Sequence, residues 1–339
     1  MKVAILTFHN SPNNAGAVLQ AWALQRTIEK LGHQAVVIDY HRARGDMVPW
    51  WSFRSPRQIY YTLRRFPWEV LRLRACDCFR RTCLHLVGTQ HGGAVAYRDA
   101  DAFITGSDQV LNPVHNEMNP SFLLDFVPTG KRRIAYGASF GTDAFGAEYC
   151  RMLSVSLPKF TALSVRERTA AETARRLAGV GAQVVLDPTL LLDAEEYKPL
   201  MSLPHRRVPT EPYVLLYVIG SHPKAWHVAE EKAREIGAKR IVAMTNQRAE
   251  WHLPQVGLSR RLNVFTPVDF LAHVAGAAYI VTNSFHGTAF SVIFKRQFTS
   301  MSNGTAGDDR MATTLDVVSN GSLGGARVRS IDFLKEALS

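Results

Sequence analysis

Val3-Ala4-Ile5-Leu6-Thr7-Phe8 is a short, almost unbroken apolar run, the pattern of a strand covered on both faces. Polar and turn-forming residues follow from His9 to Gly16. Apolar positions then recur at helical spacing, at Ala17, Ala21, Leu24, Ile28 and Leu31, until Gly32-His33 halts them. Ala35 to Tyr40 reads as a second strand. Residues 2 to 40 therefore predict one βαβ unit, with its first loop at the carboxyl end of the first strand.

The same alternation continues. Ala102–Thr105 precedes Gly106-Ser107-Asp108-Gln109, and Arg133–Gly137 precedes Ala138-Ser139-Phe140-Gly141. Ala162–Val165 precedes Arg166-Glu167-Arg168, and Gln183–Leu186 precedes Asp187-Pro188-Thr189. Residues 194 to 212 carry Pro199, Pro204, Pro209 and Pro212 and read as a linker. Tyr213–Gly220 opens a second series: helix 223–237, strand 239–244, helix 267–275, strand 277–282, helix 288–294 and a strand near Gln297–Met301. Residues 302 to 309 read as a mobile loop, and a helix from about Ile331 to Leu338 ends the chain.

This is an α/β pattern of two Rossmann-like domains facing one another across a cleft. The first is expected over residues 1–195, with an Arg-rich helical insertion at about 50–95. The second is expected over 211–315, followed by a helical tail at 316–339. Ligands of such sheets sit outside the carboxyl ends of the strands, so the loops there hold the candidate chemistry.

Composition narrows the picture. With 46% hydrophobic and 20% charged residues, the chain is too apolar to be disordered. Of its four cysteines, Cys76, Cys78 and Cys83 are spaced C-x-C-x4-C, which fits neither a disulfide framework nor a paired zinc motif. No metal is expected. Met1-Lys2 runs straight into the first strand without a leader-like apolar region, so a cytoplasmic location is expected.

Phe270 to Phe294 holds no Asp, Glu, Lys or Arg, yet Thr282-Asn283-Ser284-Phe285-His286-Gly287-Thr288 at its middle is too polar for a bilayer core. A buried strand, a turn and a buried helix explain it better. The net charge of +11 is uneven: Arg54, Arg57, Arg64, Arg65, Arg72, Arg74, Arg80 and Arg81 face only Glu69 and Asp77 in that span. Amphipathic helices with a cationic face are expected there, either simply solvated or able to bind anionic lipid, a polyphosphate substrate or nucleic acid. Of these, nucleic acid is not expected as a partner.

Each strand-end loop has a plain reading beside the functional one. Asn14 and Gly16 lead into a helix N-terminus, where free N–H groups favour an anion, though N-capping by Asn explains them as well. Gly106, Ser107, Asp108 and Gln109 gather hydroxyl, carboxylate and amide. Asp108 is the candidate base for a sugar hydroxyl, with a capped turn as the alternative. Arg166 can fork onto a carboxylate or phosphate, while its neighbours Glu167 and Arg168 offer a structural ion pair instead. His286 is a titratable imidazole among amides that can hold an anion.

Taken in order, several segments resemble the polysaccharide pyruvyl transferase family. They are Ile5 to His9 with Asn14 to Ala21, Phe103 to Val110, Ser164 to Glu167, Leu186 to Leu191, and Ser284 to Ala289. The resemblance implies a glycosyltransferase-B-like pair of domains that moves the pyruvyl group of phosphoenolpyruvate onto sugar hydroxyls. The acceptor is a glycan or lipid-linked oligosaccharide, the products are a pyruvate ketal and phosphate, and no cofactor is implied beyond this donor.

By that likeness Arg166 and His286 hold phosphoenolpyruvate, with Arg310 as a third cation. His286 would act as an imidazolium and Asp108 as base. Asn14, Gly16, Gly106, Ser107, Gln109, Ser139, Asn283, Ser284, Gly287 and Thr288 would supply the remaining contacts. The rival reading is a sugar-nucleotide-dependent glycosyltransferase, which the same architecture serves. A further rival is a non-catalytic membrane or nucleic-acid module built on the Arg-rich segment.

Overall fold

The computed structural model describes residues 1–10, 14–41, 56–142, 144–220, 222–245, 259–262, 265–304 and 308–339. The first sheet is wholly parallel. Its strands are β1 (Lys2–Leu6), β2 (Gln34–His41), β3 (Leu86–His91), β4 (Ala102–Thr105), β5 (Arg132–Ala138), β6 (Ala162–Val165) and β7 (Gln183–Val184), in the spatial order β3-β2-β1-β4-β5-β6-β7. Val3 pairs with Ala35 on one side and Ala102 on the other. Helices α1 (Ala15–Lys30), α2 (Pro56–Cys83), α3 (Pro113–Asn116), α4 (Ala147–Ser156) and α5 (Arg168–Ala178) connect the strands.

The second sheet is also parallel, in the order β10-β9-β8-β11-β12. Its strands are β8 (Tyr213–Val218), β9 (Arg240–Thr245), β10 (Ser259–Leu262), β11 (Tyr279–Thr282) and β12 (Gln297–Ser300). Helix α6 (Ala194–Met201) leads into it, α7 (Pro223–Glu235), α8 (Pro267–Gly276) and α9 (Phe285–Ile293) connect it, and α10 (Asp308–Ser319) and α11 (Leu323–Leu338) close the chain.

Both sheets are parallel, among the described residues helices cover both faces of each, and central strands such as β1, β4 and β8 read as nearly continuous apolar runs. The strand order reverses at β1/β4 in one sheet and at β8/β11 in the other. Those two switch points carry the loops singled out from the sequence.

Several expectations are corrected by the fold. Residues 194–201, expected in a linker, form α6, held by an Asp193 capping box, and its Tyr197 is fully buried. Tyr197 packs on Trp22 (5.4 Å) of α1 and on Phe290 (5.1 Å) of α9, so aromatic contacts join the two halves. Gln183–Leu186 shortens to a two-residue strand.

Of the segment read as a mobile loop at 302–309, residues 305–307 lie outside the described residues, and Asp308 and Asp309 belong to α10. Asp308 accepts from the Asn303 amide (3.0 Å), the Gly304 amide (2.9 Å) and the Ser302 hydroxyl (2.7 Å). The closing helix starts at Leu323, not Ile331, and returns to the first sheet. There Ser330 Oγ accepts from the Leu186 amide (3.0 Å) and Arg327 Nε donates to the Leu190 carbonyl (2.8 Å).

Among the described residues the Arg-rich insertion contains one 28-residue helix, α2, rather than several. Arg54 and the side chains of Arg57, Arg64, Arg65 and Arg72 lie outside the described residues. Arg74 and Arg81 are exposed, but Arg80 does not belong to a solvated cationic face. It is buried, bonded to Asp39 and to Asp77 (2.8 Å), and so pins α2 to β2. Among the described residues no helix is long and apolar enough to cross a membrane.

Tyr197→Ala removes the ring shared by α1, α6 and α9 and is expected to cost roughly 3–5 kcal/mol, as for large aromatic truncations in a core. A urea unfolding midpoint equal to wild type would contradict this role.

Candidate active site

Asp187 stands just past β7 and caps the short turn Pro188–Leu191. Its Oδ1 accepts from the Thr189 amide (3.0 Å) and hydroxyl (2.7 Å), and its Oδ2 from Ser107 Oγ (2.7 Å) and Arg166 Nη1 (2.5 Å). The carboxylate is fully occluded. Burial alone would raise its pKa, but Arg166 and His286 outweigh that and hold it at about 2.

Arg166, the first residue after β6, is 3% exposed. Its second nitrogen, Nη2, reaches Asp108 Oδ1 at 3.4 Å, and the guanidinium carbon lies 4.9 Å from the Phe285 ring centre. Asp108 sits beyond β4 with φ of 76°, a strained conformation for a residue with a side chain, and one found at functional sites. Burial pushes its carboxyl up, but Arg166, His286 and Arg310 together hold it below the usual range.

The imidazole comes from the other sheet. Helix α9 begins at Phe285, three residues earlier than the sequence suggests, so His286 is in its first turn and Ser284 is the cap. His286 Nε2 lies 3.9 Å from Asp187 Oδ2. A Cβ on Gly16 would fall 2.1 Å from His286 Cγ. The side chain missing from α1 therefore makes room for the ring of α9.

Burial is the largest influence on His286 and lowers its pKa, Asp187 and Asp108 offset this in part, and Arg166 and Arg310 add to it. Without a ligand the ring is thus weighted toward its neutral form.

Arg310 reaches the same place from α10, 6.0 Å from the Phe285 ring centre. Two bonds fix α10 against the start of α5: Arg168 Nη2 to Asp316 (2.7 Å) and Thr169 Oγ1 to Asp309 (2.8 Å). Beside Arg310 is Glu167, whose Oε1 accepts from Ser139 Oγ (2.8 Å) and the Phe140 amide (3.1 Å) while its buried Oε2 has no partner. Burial, only partly offset by Arg166 and Arg310, pushes this carboxyl up. Arg166 Nε and His286 Nε2 are likewise buried without a hydrogen bond.

Arg166, His286, Asp108 and Arg310 are therefore brought together. Both terminal nitrogens of Arg166, however, already hold an aspartate, and Nε is its nitrogen buried without a hydrogen bond. The other candidates mostly build the frame. Asn14 caps α1 by accepting from the Ala17 amide, and Gly106 leaves space for Thr7. Ser107 serves Asp187 and Ser139 serves Glu167. Gln109 braces Asn112 (2.9 Å).

Asn283 exchanges both bonds with Ile219 at 2.8 Å, Gly287 leaves space for Thr282, and Thr288 bonds Ser300 (2.9 Å). Asp187, Glu167 and Phe285 are the residues that sequence reasoning passed over, although all three lie at strand ends it had marked. Among the described residues no group of His, Cys, Asp and Glu is placed to hold a metal ion, and all four cysteines are free thiols.

The profile of the polysaccharide pyruvyl transferases matches residues 14–305, and so spans every residue of this cluster except Arg310. The chain belongs to the polysaccharide pyruvyl transferase family. Among curated proteins no sequence is significantly similar to it.

Solved structures of the same shape include the UDP-GlcNAc 2-epimerase of Neisseria meningitidis bound to UDP-GlcNAc, with 10% identity, a TM-score of 0.52, and 100% of this chain and 99% of that one covered. The UDP-N-acetylglucosamine 2-epimerase of Rickettsia bellii gives 10% identity, a TM-score of 0.50, and coverage of 99% and 95%. These similarities establish a GT-B-like fold for this pyruvyl transferase family member.

Asp187 has its carboxyl depressed from 3.8 to about 2, so its contribution to stability is present above pH 4 and lost as pH falls toward 2. The shift corresponds to about 2 kcal/mol. Asp187→Asn is expected to destabilise at pH 7 by roughly 3–5 kcal/mol, leaving Arg166 without its closest partner. Measured by urea unfolding between pH 5 and pH 2, it should lose about 2 kcal/mol less than wild type. Parallel pH profiles would refute the assignment.

Proposed function

We propose that the chain transfers the pyruvyl group of phosphoenolpyruvate to two hydroxyls of one sugar in a glycan or lipid-linked oligosaccharide. One observation carries this reading: Arg166, His286 and Arg310, from three separate segments, converge where the two switch points face each other. Phosphoenolpyruvate bears a carboxylate and a phosphate, and a buried site needs several cationic or N–H donors to accept both.

The reaction balances without a redox partner. The methylene carbon gains a proton and becomes methyl, one sugar hydroxyl adds to C2, and the C2–O bond to phosphate breaks. The second hydroxyl then adds to C2 and closes the ketal. Of the two hydroxyl protons, one is balanced by the new methyl group and the other by the departing phosphate.

Charge in the cluster assigns the parts. His286 is neutral at rest, and a phosphate dianion beside Nε2 supplies the opposite charge that favours its protonated form, so donor binding charges the ring. It then protonates the leaving phosphate. Glu167, with a raised carboxyl and an unpartnered oxygen, suits proton transfer to the methylene carbon better than Asp108. Asp108, held ionised by Arg166, orients the acceptor hydroxyl. Arg310 and Arg166 Nε bind the donor's anionic groups.

On this reading the chain works in the cytoplasm, with α2 toward the anionic inner face of a membrane. The Arg-rich composition of α2 and the exposure of Tyr60, Leu63 and Phe66 on it support that placement. Charge reversal at Arg64, Arg65, Arg72 and Arg74 is expected to abolish sedimentation with phosphatidylglycerol vesicles; unchanged sedimentation would remove the membrane role.

His286→Asn and Glu167→Gln are each expected to lower phosphate release from phosphoenolpyruvate by about a hundredfold or more, with unchanged thermal unfolding. Undiminished turnover in either variant removes that residue from the mechanism. Release of a nucleoside diphosphate from a sugar nucleotide, in place of phosphate from phosphoenolpyruvate, would identify a glycosyltransferase instead.

A further inference from the structure

Beside the cation cluster, and sharing Asp108 with it, a pocket of about 180 Å³ opens at the carboxyl ends of β1 and β4. Sites for drug-sized ligands span roughly 300–1,000 Å³. This one therefore has room for a single ring, not an oligomer. Part of its wall is aromatic: Phe122 meets Phe8 at 5.2 Å and Tyr40 at 5.8 Å, both edge to face, which holds the rings in fixed orientations.

Asn10 is the informative polar group. Its Nδ2 donates to the Tyr40 carbonyl at 2.8 Å, which orients the amide, yet its Oδ1 accepts no hydrogen bond although the residue is only 8% exposed. A buried acceptor without a donor is costly, and a ligand hydroxyl in the pocket would satisfy it.

The polar floor is rigid. His9 is fixed by the Thr7 carbonyl (2.9 Å) and Asp39 (3.3 Å), and Asp39 is bonded in turn to Arg80, His41 (3.1 Å) and Thr89 (3.0 Å). Asp108, at the border with the cation cluster, is paired with Arg166, and beside it the lining is uncharged amide and hydroxyl, from Asn10, Asn14, Gln109 and Thr7, with His9 and His115. The cation cluster suits a doubly negative donor, whereas this lining, with no Lys or Arg among its residues, suits an uncharged polyol.

The geometry points to this pocket as the acceptor subsite, taking one uncharged pyranose ring with its C–H face against the aromatic wall, a hydroxyl on Asn10 Oδ1 and a diol turned to Asp108. The inference rests on the pyruvyl-transfer reading and adds to it the acceptor's class: a single sugar residue without carboxylate, sulfate or phosphate enters, and the rest of the glycan stays outside.

Two variants test it. Ala17, 1% exposed, lines the pocket from α1, so Ala17→Leu fills the space with a good helix former. Asn10→Ala removes the unpartnered acceptor. Saturation-transfer NMR with the methyl glycosides of glucose, galactose and mannose reads the pocket, and titration calorimetry with phosphoenolpyruvate reads the donor site.

At least one glycoside is expected to bind wild type, with its affinity lowered about fivefold or more in both variants and phosphoenolpyruvate binding unchanged. No glycoside binding to wild type at about 10 mM, or equal binding by both correctly folded variants, overturns the inference. Absence of phosphoenolpyruvate binding in wild type would sink the functional reading instead, while the glycoside data still decide the pocket.

Discussion

A buried ion pair at the meeting of two sheets organises this molecule. Arg166 and Asp187 are both shielded from water, and neither charge is tolerable there without the other. Around them the chain has placed the donors that complete Asp187, namely Ser107 and Thr189, and the acceptor that completes Arg166, namely Asp108. His286 then enters from the second sheet and faces the same carboxylate. The pair is a structural element, and it also fixes where the titratable groups stand relative to one another.

Environment gives these groups different characters. Asp108 and Asp187 are near a guanidinium whose attraction outweighs burial, so they stay ionised. In Glu167 burial outweighs the neighbouring arginines, and in His286 it outweighs the aspartates. A cluster with acids pushed apart in this way, together with a neutral imidazole, has the arrangement that proton-transfer chemistry uses.

The central strands were legible because a strand covered on both faces is mostly apolar, and Ala102–Thr105 and Ala162–Val165 each carry a single hydroxyl residue among apolar ones and were placed to the residue. The edges were not. Ser259–Leu262 reads Ser-Arg-Arg-Leu and Leu86–His91 carries Gly, Thr, Gln and His, since edge positions need no apolar run. Helix α10 hid behind the Gly- and Ser-rich turn before it. At the site, Arg166 and His286 stood out because a charge or an imidazole at a strand end is conspicuous. Asp187 occupied an equivalent position but looked like an ordinary Asp-Pro turn. The packing role of Gly16 was not legible either, because the imidazole its missing side chain accommodates is distant in sequence.

The path of the last two helices has a mechanical consequence. Arg310 lies near the start of α10, and from there the chain runs through α11 to Ala337, whose carbonyl accepts from Arg132 Nη1 at 3.2 Å on the first sheet. The C-terminal segment is thus a tether strung from one half of the molecule to the other, with a cation of the site at its near end. Because α10 is also bonded to α5, a hinge motion that parts the two halves would strain the stretch between β12 and α10, so that Arg310 stays beside Arg166 only while the α10–α5 bonds hold.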